Sequence, residues 1–150
     1  MRLLKLFTLL AVLAVGIVAA AQAEPGRNLE AILRPAALGP EGGFGLVKFR
    51  QPRDEDKIVY LDVWVRNLEP NHTYSFQRAT DMEVNDDCTA ATNWATLGTV
   101  TTDDRGTGRA QLTRNLSAVA EGTEFDIHFR VLDGATAVLE SGCYQFTVRQ

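Results

Sequence analysis

Along several short stretches of the chain, apolar and polar residues alternate one by one. In KIVYLDVWVRNL (57–68), Val59, Leu61, Val63 and Val65 fall on one face and Tyr60, Asp62, Trp64 and Arg66 on the other. A period of two belongs to a strand with one side in a core and the other in water. FDIHFRV (125–131) repeats the pattern, with Phe125, Ile127, Phe129 and Val131 opposed to Asp126, His128 and Arg130. CYQFTV (143–148) groups Tyr144, Phe146 and Val148, and FGLVKF (44–49) is bounded by Gly42-Gly43 and Pro52, so both read as strands. LGTVTTDDRGTGRAQL (97–112) carries Asp103-Asp104-Arg105-Gly106-Thr107-Gly108 between two β-rich runs; the glycines supply the positive φ of a tight reversal, which predicts a hairpin.

Adding 29–34 and 73–78 gives about eight strands, with no long amphipathic helix, internal repeat or low-complexity tract, and with no proline inside an expected strand. The pattern predicts an all-β fold: a single Greek-key β-sandwich or flattened barrel of about eight antiparallel strands with one disulfide.

The start of the chain breaks this pattern. MRLLKLFTLLAVLAVGIVAAAQA (1–23) has Arg2 and Lys5, an apolar run, and Ala21-Gln22-Ala23 as a signal-peptidase site, so it reads as a signal peptide followed by a single domain over 24–150. The alternative is an uncleaved anchor, because the run approaches spanning length; the polar EPGRN after it favours cleavage. No cysteine stands near the cleavage point, which argues against a lipoprotein. The expected location is secreted or periplasmic, without stable membrane insertion. The formal charge of −4 becomes more negative once Arg2 and Lys5 are removed, which argues against nucleic acid or an anionic membrane as partner. In an oxidising compartment the only cysteines, Cys88 and Cys143, are expected to pair. Closing so long a loop is worth roughly 4 kcal/mol in the chain-entropy model.

LEPNHTYSFQ (68–77) sets Leu68, Pro70 and Tyr74 at the spacing of a tyrosine corner. In fibronectin-type sandwiches that corner comes near the end of the chain, whereas here enough sequence follows for four more strands. Taken in order, the chain resembles the copper/zinc superoxide dismutase family over most of 42–149. GFGLVKFRQ is similar to that family's second strand, and VWVRNLEPNHTYSFQ to its G-L-x-P-G-x-H-G-F turn with the flanking strands. LGTVTTDDRGTG is similar to its L-G-N-V-x-x-D-x-x-G hairpin, and GTEFDIHFRV to its late strand ending in a copper-ligand histidine. The resemblance places Cys88 as the family's loop cysteine and Cys143 as its partner.

The family's chemistry does not come with the scaffold. A copper redox site needs several imidazoles and an open position, and the chain has two histidines, His72 and His128. Phe76 and Arg78 stand where the resemblance expects an H-x-H pair, the stretch 87–97 is too short for a histidine-rich zinc loop, and Glu140 stands near the expected anion-guiding arginine. The resemblance therefore implies a scaffold without dismutase activity. No catalytic residue, cofactor or metal site is expected; the alternative is a metal-binding protein or a residual copper-dependent redox enzyme centred on His128.

Other chemistry is sparse. No GxSxG, HExxH, P-loop or GxGxxG pattern is present. Asp81-Met82-Glu83-Val84-Asn85-Asp86-Asp87 gathers oxygen ligands suited to calcium without EF-hand spacing, and reads as a solvated acidic loop. The sequons at Asn71 and Asn115 matter only in a eukaryotic secretory pathway. What remains is aromatic: Tyr60 and Trp64 on the outward face of the best-patterned strand, and Trp94 after Cys88, form a candidate binding surface for a protein, a small molecule or a second copy of the chain. The alternative is that these rings pack beneath a neighbouring loop or the N-terminal segment. The sequence thus points to an exported, non-catalytic binding or structural module.

Overall fold

The computed structural model describes residues 28–52 and 57–149. The expected signal peptide at 1–23 and the start of the domain at Glu24 lie outside the described residues. Nine strands follow one another: β1 (Asn28–Pro35), β2 (Phe44–Arg50), β3 (Ile58–Arg66), β4 (Thr73–Asp81), β5 (Ala95–Thr101), β6 (Gly108–Asn115), β7 (Glu124–Asp133), β8 (Thr136–Ser141) and β9 (Tyr144–Thr147). They form one antiparallel sheet in the order β5-β4-β7-β8-β1-β2-β3-β6, with β9 beside β7. The consecutive pairs β3/β4 and β6/β7 are not neighbours in the sheet, so the chain crosses between its halves twice in Greek-key fashion. β8 and β9 lie on the same side of β7 at 130–133 and 124–127, and together act as one strand broken at Gly142-Cys143. The fold is the all-β Greek-key architecture that the alternating pattern predicts.

The sheet curls until its edge strands, β5 and β6, face each other. Their hairpin keeps one bridge, Thr102 to Gly108, beyond which no ladder joins them. Side-chain packing continues the closure: a Cβ on Gly98 would stand 2.5 Å from Leu112 Cδ2, so glycine leaves room for that leucine. Inside, Val59, Leu61, Val63 and Val65 of β3 are buried as expected, facing Phe125, Ile127, Phe129 and Val131 of β7. Phe49 meets Phe146 edge-on at 4.4 Å, and Phe76 stacks on Phe129 at 5.6 Å. Phe76 is thus a central core residue.

The connection from β3 to β4 is a tyrosine corner. Tyr74 Oη accepts the Glu69 N–H at 2.9 Å, while Asn67 and Asn71 take positive φ of 55° and 51°. The β5–β6 turn docks onto this corner: Leu68 N–H donates to Gly106 O at 3.2 Å, Asn71 N–H to Asp103 O at 2.9 Å, and Thr102 Oγ1 to Glu69 O at 2.6 Å. Asp103 Oδ1 accepts the Arg105 and Thr107 N–H groups at 2.9 Å each, and these bonds hold its carboxyl below the usual range. Gly106 has φ of 72°, and a Cβ there would come 2.1 Å from Leu68 O, so this close approach requires glycine.

Two features differ from expectation. β8 is an additional strand: Val138 and Leu139 are consecutive and both buried, and a bulge at Val131/Leu132 removes clean alternation from the β7–β8 hairpin. Asp126, expected on the outward face with His128 and Arg130, is fully buried, because the 82–94 loop folds over it and donates the Asn85 and Asp86 N–H groups to Oδ2 at 2.9 and 2.8 Å. Cys88 and Cys143 are bonded, 55 residues apart in sequence, which ties that loop to the β8–β9 break.

Tyr74→Phe is expected to cost about 1 kcal/mol through the lost corner hydrogen bond. Gly106→Ala should cost more, because its Cβ meets backbone. Urea unfolding measures both; a smaller loss for Gly106→Ala would contradict the docked corner.

Candidate functional site

The outward surface of β1, β2, β3 and β6 is a flat grid fixed by strand register. Across it, Leu46 stands beside Trp64 and Trp64 beside Arg109, while Lys48 stands beside Asp62 and Asp62 beside Gln111. These residues line a cleft of about 570 Å³. Trp64 is half-buried and leans edge-on against Phe44 at 5.8 Å. The Arg66 guanidinium lies over both rings, 4.9 Å from Phe44 and 5.5 Å from Trp64, and Arg34 lies 5.4 Å from Phe44. Cation–π contact holds such guanidiniums over an aromatic face while leaving their N–H donors free for a ligand.

Charge on this surface is uneven. Glu30 pairs with Lys48 at 3.0 Å and Asp62 with Arg50 at 2.6 Å, so its two carboxylates are already engaged. Among the described residues, Arg34, Arg66 and Arg109 form no ion pair, and all three are exposed. An acidic chain therefore carries a local cationic patch around an aromatic pair. Tyr60, 40 % exposed, lies on the same face between Arg50 and Thr113.

Trp94 is not part of this surface. It lies outside the β4–β7 side of the barrel, at the end of the 82–94 loop, packed with Ala79, Cys88, Ala91 and Cys143. Its ring sits 4.4 Å from that of His128, and the Arg130 guanidinium lies 3.7 Å above it, with Arg130 Nε donating to Gln77 Oε1 at 2.9 Å. The structure thus keeps Tyr60 and Trp64 together and sets Trp94 apart.

The histidines do not assemble a copper site. His128 Nε2 is buried without a hydrogen-bond partner, and burial pushes the imidazole below its ordinary value; Glu140 opposes the shift and Arg130 adds to it. His72 sits at the tyrosine corner, with Nε2 3.0 Å from Asp133 and Nδ1 4.0 Å from Glu69. Those three residues offer ligand atoms within 4.8 Å of one another, a grouping the sequence does not suggest, since Asp133 is 61 residues from His72. The carboxylates approach opposite ring nitrogens, an arrangement that orients the imidazole. The same end of the barrel perturbs Tyr74, whose hydroxyl is raised by burial against its hydrogen bond with Glu69, with the Glu69 and Asp133 charges adding to the rise. Phe76, at an expected ligand position, lies in the core, and Arg78 points to the barrel interior rather than toward His128. The residues present do not fit the copper and zinc of the family that the sequence resembles.

The acidic loop is largely committed to its own backbone. Asp81 Oδ1 accepts the Glu83 N–H at 3.0 Å, Asn85 Oδ1 the Asp87 N–H at 2.9 Å, and Asp87 Oδ1 the Thr89 N–H at 2.9 Å. Among the described residues, no helix is long and apolar enough to cross a membrane. No protein-family model matches the chain, and no curated protein matches it in sequence.

The sign of the His128 shift gives a pH dependence. An imidazole with a lowered folded pKa takes up its proton more readily when unfolded, so its stabilising contribution is full above the ordinary value near 6.5 and is lost as pH falls through it. Unfolding free energies at pH 7.5 and 5.5 should therefore differ less in His128→Gln than in the parent; an equal difference would contradict the buried neutral ring.

Proposed function

We propose that the protein is a non-catalytic binding module, built on a superoxide dismutase-like scaffold that has lost its metal ligands, and that the Trp64 face is its binding surface. The scaffold assignment is supported by the eight-strand Greek-key barrel path and by the disulfide joining the β4–β5 loop to the C-terminal strand region. The single observation that carries the functional reading is the cleft of about 570 Å³ beside Trp64, with Arg109 in its lining, Arg66 and Arg34 over the adjoining aromatic pair, and its lining carboxylate, Asp62, already paired with Arg50. An aromatic face, cationic donors and the amide of Gln111 suit a ring-bearing anion of the class of an acidic sugar. The ring stacks on indole while guanidiniums take the carboxylates. Self-association through this face is disfavoured, because an isologous contact would bring like arginine patches together. The disulfide is compatible with an oxidising compartment outside the cytoplasm, which suits export of the domain.

Isothermal titration with a hexuronic-acid oligosaccharide tests the proposal. Trp64→Ala is expected to weaken binding by about tenfold or more, as for an aromatic anchor at the centre of an interface, with the unfolding midpoint nearly unchanged. Raising salt should weaken the parent's binding as the arginine patch is screened. Absence of saturable binding, or unfolding by Trp64→Ala, contradicts the assignment.

A further inference from the structure

A second cavity, independent of the Trp64 face, opens at the end of the barrel where the β5–β6 seam parts. It has a volume of about 130 Å³, and Phe49, Leu61, Leu97, Phe125 and Ile127 form its walls. Its size is close to that of cavities that accept a single benzene ring. Two arginines and the exposed side chain of Met82 stand at its rim.

The placement of those arginines is fixed by register. Arg78 pairs with Phe129 across β4–β7, and Arg114 with Val59 across β3–β6. Phe129 and Val59 point into the core, and directly paired residues on adjacent strands share a face. Both side chains therefore leave their strands on the core-facing side, where a strand ordinarily carries an apolar residue, although Arg114 reaches solvent at the end of the barrel. Arg78 is half-buried, and its hydrogen bond is a long one, Nη1 to Thr80 Oγ1 at 3.4 Å. Burial first, and then the Arg114 charge, lower its pKa. Among the described residues, neither arginine forms an ion pair. Like charges at the mouth of an apolar cavity repel each other, and an anion seated between them would relieve the repulsion and the incomplete solvation of Arg78.

We propose that this cavity binds a small amphipathic carboxylate, with its short alkyl chain or aryl ring against Leu97, Phe125 and Ile127 and its carboxylate between Arg78 and Arg114. The chain supplies apolar burial, and the two guanidiniums supply selectivity over an alcohol of the same length. Acetate, with the head group alone, lacks the apolar part.

Titration of the full chain with hexanoate, hexanol and acetate, followed by the methyl resonances of Leu97, Leu116 and Ile127, tests this. Hexanoate is expected to shift those methyls saturably and to bind about tenfold or more tightly than either control. Arg114→Gln, at an exposed position, should bring hexanoate down to the level of hexanol. Arg78→Leu should do the same while keeping or raising the unfolding midpoint, since an apolar group then fills a core-facing site. Equal binding of hexanoate and hexanol by the parent overturns the proposal, as does an Arg114→Gln variant that retains the preference. Absence of any hexanoate response at the three methyls also overturns it.

Discussion

Closure of the seam between β5 and β6 is the constraint on which the rest of the structure depends. One bridge at Thr102–Gly108 is the last backbone contact between these strands, and beyond it the barrel is shut by Leu112 lying over Gly98. A curled sheet with an unpaired edge would expose its core and its hydrogen-bonding groups. Here the hairpin turn is clamped to the β3–β4 corner through Leu68, Asn71 and Thr102, and the corner is locked from within by the Tyr74 hydroxyl. The crossing connection and the closing hairpin therefore hold each other, and the aromatic core of Phe49, Phe76, Phe129 and Phe146 forms inside the closed space.

Once the barrel is closed, its two outward faces meet different fates. The β4–β7 side is covered: the 82–94 loop lies on it, anchored by the disulfide, by Asp126 and by Thr80 to Asn93, whose Oδ1 accepts the Thr80 N–H at 2.8 Å. Trp94 is part of that cover, and its ring lies on His128 of β7. The β1–β2–β3–β6 side receives no such loop among the described residues, and it carries Trp64, Tyr60 and the arginine patch. The end of the barrel adds a third environment, where the parting seam brings Arg78 and Arg114 to the rim of an apolar cavity.

Local alternation carried most of the fold. The faces of β3 and β7 were legible because valine and phenylalanine repeat at every second residue, and the corner because Leu68, Pro70 and Tyr74 keep its spacing. β8 was not, since Ala137, Val138 and Leu139 run together without alternation and acquire meaning only beside the bulge in β7. Asp126 looked outward by parity, and only the loop that covers it makes it a buried acceptor. For the candidate surface, Tyr60 and Trp64 share a strand and could be grouped from sequence. Trp94 could not be separated from them without the barrel's topology. The arginine patch was illegible because Arg34, Arg66 and Arg109 come from three strands, and the Arg78–Arg114 pairing because it spans a seam with no ladder.

We propose that an anionic partner binds the outward β1–β2–β3–β6 face through Trp64 and its arginines. A two-dimensional NMR map of the isotope-labelled protein with a hexuronic-acid oligosaccharide tests it most directly. The Trp64 indole N–H and the Arg34, Arg66 and Arg109 side-chain resonances are expected to shift together with one saturation curve, while Trp94 stays unmoved. Shifts confined to Trp94 and His128, or to the Arg78–Arg114 rim, would contradict it.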